Sequence, residues 1–108
     1  MIMTIFEKAL INDYVSLASK NYDINMVDKS GKTLLHYAVL GDSIDVIKYL
    51  INNNFNLNLV DKNNESAIFD CARKGKLEIA KLLFEKGAVL NFLNNKGESL
   101  FHLAFSRK

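Results

Sequence analysis

The 108-residue chain has no proline, and only two of its 14 basic residues are arginine. Its single cysteine, Cys71, excludes an internal disulfide framework, and nothing forms a zinc-ligand set. No apolar run reaches the roughly 18 residues that a transmembrane helix needs. The apolar start, Met1 to Ile11, carries Glu7 and Lys8 and has no basic leader, so it reads as part of the fold and not as a signal peptide. A net charge of +2 is too small for a general electrostatic grip on nucleic acid. No glycine-rich phosphate loop is present. These absences leave a single-domain protein of a reducing compartment, expected to be cytoplasmic, with neither a membrane nor a nucleic-acid partner.

What the sequence does have is a core-forming composition, 49% hydrophobic with seven Phe and four Tyr, and a repeat. Asp28 to Val60 is written again as Asp61 to Leu93, and Asn94 to Lys108 begins a third copy, so the period is 33 residues. Six of the 33 positions are identical between the first two copies. Ahead of them, Asn21 to Val27 aligns with Asn54 to Val60 and with Gly87 to Leu93 at the same offset. The chain therefore divides into a capping unit (1–27, with a helix pair within Ile5 to Ser19), two repeats (28–60 and 61–93) and a partial C-terminal repeat (94–108).

Each unit opens on a turn, Asp28-Lys29-Ser30-Gly31 in the first, where Gly31 supplies the positive φ and Asn64 and Gly97 are its counterparts. Thr33, Ser66 and Ser99 stand just before an apolar stretch, as helix N-caps do. A short helix is predicted from Leu34 to about Leu40, with Leu35, Ala38 and Val39 facing inward. Ile68, Cys71 and Ala72, then Phe101, Ala104 and Phe105, are the equivalents. Gly41-Asp42 and Gly75 break this helix. A second helix is predicted over Ser43 to Asn53 on the stripe Ile44, Ile47, Ile51, reproduced by Leu77, Ala80 and Phe84. Asp45 with Lys48, and Glu78 with Lys81, read as i, i+3 pairs on a solvated face. Asn54 and Gly87 suit a left-handed C-terminal cap.

The pattern resembles the ankyrin repeat, a 33-residue unit of turn, two antiparallel helices and loop. The motif Asp-x-x-Gly-x-Thr-Pro-Leu-His-x-Ala is matched by Asp28, Gly31, Thr33, Leu35, His36 and Ala38, and again by Gly97, Ser99, His102 and Ala104. The middle copy departs, with Asn64 for Gly and Phe69 for His. The motif proline is replaced by Leu34, Ala67 and Leu100, which gives up a pre-set φ without endangering the fold. The resemblance implies an all-α solenoid of stacked helix-turn-helix units joined by β-turn or hairpin loops.

Little in the chain suggests catalysis or a cofactor. His36 and His102 are two periods apart, very roughly 20 Å along such a stack, and cannot share a metal. Each imidazole is expected to bond loop backbone, as in the family. Cys71 falls in a small-residue column and reads as buried and inert. Asn25, Asn58 and Asn91 form a polar column expected to bond loop backbone. Asn64-Glu-Ser66 matches a glycosylation acceptor by chance.

In ankyrin-like proteins the turn tips and the outer edge of the first helix make a concave binding surface. By register the tips are Lys29, Ser30 and Lys32, then Lys62, Asn63 and Glu65, then Asn95, Lys96 and Glu98. The helix positions are Tyr37 and Leu40, then Asp70, Arg73 and Lys74, then Leu103 and Arg107. Seven of these are basic and three acidic, which favours an acidic partner protein. The expected function is a non-enzymatic protein-binding module. An immunity-type inhibitor that neutralises a toxin enzyme by direct binding is the alternative. The last helix has no successor, so Leu100, Phe101, Leu103 and Phe105 offer a contact surface for a second copy or for the partner.

Overall fold

A computed structural model of the chain describes residues 4–19 and 22–106. Seven helices follow one another: α1 (Ile5–Leu10), α2 (Tyr14–Ser19), α3 (Leu34–Leu40), α4 (Ile44–Asn52), α5 (Ala67–Lys74), α6 (Leu77–Glu85) and α7 (Leu100–Ser106). They pair as α1/α2, α3/α4 and α5/α6, and α7 begins a further unit.

Local chemistry sets the helix ends. Thr4 caps α1 in a reciprocal box with Glu7, and Thr33 caps α3 in a box with His36. Gly31, Asn64 and Gly97 take φ of 77°, 60° and 75°, so the three turns share one left-handed residue. Asn54 and Gly87 also have positive φ, just after α4 and α6. The predicted limits of α4, Ser43 to Asn53, close in by one residue at each end.

The core is one row running through the stack. Ala9, Leu17, Leu34, Ala38, Val39, Val46, Ile47, Leu50 and Leu83 are fully buried. The units are joined by seams that periodicity does not reveal. Asn12 reaches across from the first unit, and its Oδ1 accepts the N–H of Asp45 and Val46 at 3.0 and 3.2 Å. It thereby caps α4, whose own Ser43 donates instead to the Leu10 carbonyl at 2.9 Å.

Two expectations need correcting. Phe101, Ala104 and Phe105 were assigned to the interior by register, yet all three are exposed, because no second helix follows α7 among the described residues. Asp45, Lys48, Glu78 and Lys81 do lie on a solvated face, but among the described residues neither i, i+3 pair closes; the Asp45 carboxylate accepts from Asn12 Nδ2 at 3.0 Å instead of meeting Lys48.

Candidate partner-binding face

The face begins with three turns of one design. Asp28 Oδ1 accepts the N–H of Ser30 and Lys32, Asp61 Oδ1 those of Asn63 and Glu65, and Asn94 Oδ1 those of Lys96 and Glu98. The tips then join edge to edge. Lys62 donates its N–H to the Ser30 carbonyl, and Asn95 donates to the Asn63 carbonyl, both at 2.9 Å.

Behind the tips the carboxylates point inward and are neutralised. Asp61 accepts Lys32 Nζ at 3.0 Å. Glu65 Oε2 accepts Arg73 Nη2 at 2.7 Å and Asn94 Nδ2 at 2.8 Å. Arg73 Nη1 also reaches Asp70 at 3.4 Å, and the Tyr37 hydroxyl donates to Asp28. Burial works against ionisation at Asp28, Asp61 and Glu65, yet the hydrogen bonds from Tyr37, Lys32 and Arg73 respectively hold all three below the usual carboxylate range. The same bond to Asp28 pushes the Tyr37 hydroxyl up to about 12. Asp70 goes the other way, raised by burial despite Arg73, Lys32 and His36. Burial, with the Asp70 charge behind it, lifts the Cys71 thiol to about 12, which suits an inert thiol.

His36 ties the first repeat to the second. Its Nδ1 accepts the Thr33 N–H at 3.0 Å, so the ring proton sits on Nε2, which meets the Glu65 carbonyl at 2.9 Å. In the third unit Ser99 N–H donates to His102 Nδ1 at 3.1 Å. Asn58 plays the expected part in its column, donating to the Gly87 carbonyl and accepting the Val89 N–H. In the middle unit Phe69 stands where the imidazole would be. Ser66 Oγ is consequently buried with no partner among the described residues. Thr33→Ala is therefore expected to cost about 1–2 kcal/mol, and Ser66→Ala less than about 0.5 kcal/mol, in urea unfolding followed by circular dichroism. Equal losses would show that the hydroxyls do not differ in this way.

The positions expected on this face separate by exposure. Lys29, Ser30, Lys62, Asn63, Arg73, Lys74, Asn95 and Lys96 are exposed. Lys32, Tyr37, Leu40, Glu98 and Leu103 are half-buried, whereas Glu65 and Asp70 are buried. Arg107 lies outside the described residues. A polar hollow of about 220 Å³ between the second and third tips gathers Asn63, Glu65, Arg73, Lys96 and Glu98.

A model of ankyrin repeats, three copies long, matches residues 5–94. The chain belongs to the ankyrin-repeat family. Ankyrin repeats are generally protein–protein interaction modules. A comparison with curated proteins found no match. Among the described residues, no helix of this ankyrin-repeat chain is long and apolar enough to cross a membrane, and no cluster of three or more His, Cys, Asp or Glu side chains is placed to hold a metal.

One column of exposed residues escaped the sequence reading. Val27, Val60 and Leu93 recur at the 33-residue period, and all three are exposed at the base of the fingers. Their signal was available, since an apolar residue held in register reads as core. Beside them Asp28, Asp61 and Asn94 fold their side chains back onto the backbone of their own turns.

Proposed function

We propose that this ankyrin-repeat chain is a non-enzymatic module of the cytoplasm that docks a partner protein with an acidic surface on its finger tips and first helices. The observation that carries the reading is a charge asymmetry. Most acids of the face are engaged inside it, Asp61 with Lys32, and Glu65 and Asp70 with Arg73, whereas half-buried Asp28 and Glu98 make no ion pair among the described residues. Lys29, Lys62, Lys74 and Lys96 are exposed, and among the described residues none of them makes an ion pair. The charge left unpaired on the face is net positive, which favours an acidic partner and speeds encounter with it. A free thiol at Cys71 suits a reducing compartment.

The test must leave Arg73 alone, because reversing its charge strips Glu65 as well as the surface. We expect Lys29→Glu, Lys62→Glu and Lys96→Glu together to weaken binding of a fluorescent oligoglutamate peptide by at least about tenfold, read by anisotropy at low salt. The circular dichroism should stay unchanged. Equal binding by the variant and the unaltered chain would sink the acidic-partner reading.

A further inference from the structure

Val27, Val60 and Leu93 form an apolar column across three consecutive turns, 54%, 40% and 54% exposed. Every member is internal to the stack, with helices before and after it. Next in the chain comes a side chain folded onto its own turn, Asp28, Asp61 or Asn94, and then an exposed polar residue, Lys29, Lys62 or Asn95. In the third turn the ammonium stands one place on, at Lys96. Two residues of chain reach at most about 7 Å, so the apolar column and the lysines run side by side. Backbone bonds between the turns, Lys62 to Ser30 and Asn95 to Asn63, hold both columns in place. The connections leading into the second and third turns, residues 54–60 and 87–93, contain no charged residue.

We infer that these two columns receive an acidic amphipathic α-helix of the partner protein, laid along the stack with an apolar residue at every seventh position. This rests on the acidic-partner reading and names the form the partner takes. Packed helices stand about 8–10 Å apart, which sets the step from one unit to the next. Seven residues of α-helix rise about 10.5 Å, and a modest tilt brings that step into range. A β-strand cannot keep step, because side chains three residues apart, about 10 Å, leave on opposite faces. A polyproline helix repeats every three residues and about 9.3 Å, and does keep step. Width separates the two. With its side chains an α-helix is about 10–12 Å across, enough to cover the apolar column and reach the lysines at once. The polyproline helix has one side chain per turn on this face, and the apolar column occupies it. Carboxylates beside the apolar stripe of the partner meet Lys29, Lys62 and Lys96, none of which makes an ion pair among the described residues. Burial of the column adds a preference that salt does not screen, unlike the attraction of the lysines.

Two labelled peptides of about 18 residues and one composition, rich in Glu and Ala, test this by anisotropy. One carries three Leu at heptad spacing, and in the other no two Leu are seven apart. The unaltered chain should bind the heptad peptide at least about tenfold more tightly than the shuffled one, with a gain of helical circular dichroism on binding. Val60→Ser with Leu93→Ser, both at exposed positions, should erase that preference with the fold's own helical signal unchanged. Equal binding of the two peptides means that charge alone recruits them, which overturns the inference and leaves the acidic-partner reading standing. Failure of both to bind also overturns it, and the oligoglutamate peptide then decides the acidic-partner reading by itself. A preference that survives the double substitution overturns the place assigned to the helix. A proline-rich acidic peptide with Leu at every third position that binds more tightly than the heptad peptide overturns the α-helix.

Discussion

Gly41→Ala is expected to lower stability by about 3 kcal/mol, the upper part of the range for forcing extra carbon into a packed interior. Gly41 has an ordinary φ of −91°, so backbone strain is not the reason. A Cβ there would lie 1.8 Å from the Leu10 carbonyl oxygen and 2.7 Å from its carbon. Both are backbone atoms held by the turn after α1, and neither can swing aside as a side-chain tip would. The first unit must back away from the second, loosening the Ser43 bond to Leu10 and the Asn12 cap on α4. Gly97→Ala is the comparison: nothing lies within 4 Å of its Cβ, and only its φ of 75° opposes the change, worth about 1 kcal/mol. Urea midpoints measure both. An unchanged midpoint for Gly41→Ala would mean that the first unit does not sit against this turn.

Arg73→Ala has the second large expected effect, about 2 kcal/mol at pH 7. Its guanidinium serves two carboxylates that are themselves buried, Glu65 and Asp70. Removing one partner of a buried pair costs roughly 3–5 kcal/mol, and the 40% exposure of the Arg73 side chain reduces that through solvent screening. The pH dependence has a definite sign. Glu65 is held below its usual range in the folded chain, so its contribution is present above its unfolded value near 4.5 and is lost as pH falls through the folded value. The gap between the two proteins should therefore shrink below about pH 4.5. Asp70 works in the opposite sense. Its folded value is raised, so what it contributes is present at low pH and lost as pH rises through that value. A gap that widened on acidification would show that Glu65 is not the group Arg73 protects.

The sequence announced the stack because packing repeats whenever side-chain type does. The 33-residue offset, the hydroxyl column at Thr33, Ser66 and Ser99, and the left-handed turn residues each depend on one residue and its near neighbours, which a string of letters preserves. The face was harder to read. Glu65 and Asp70 look like surface acids by register, and only the distance from Arg73 turns them inward. Gly41 looks like a helix breaker, whereas its constraint is a carbonyl from the preceding unit. Asn12 carries no capping signal, because the helix it caps begins 32 residues later. In each case the deciding partner lies one unit away, across a gap whose width periodicity leaves open. The middle unit's Phe69 was recognised as a departure, but its effect falls on Ser66, which is orphaned by it.

The seams between units also govern how such a chain can change length. Asn12 with Asp45, Leu10 with Ser43, and Lys62 with Asn95 are each 33 residues apart, and Lys76 with Asp42 is 34. A single residue inserted between α2 and α3 keeps every helix and its stripe, yet shifts a cap, a hydroxyl and a glycine away from the groups they serve. Insertion of a whole period leaves all of them in step. The gene should therefore grow or shrink by complete units.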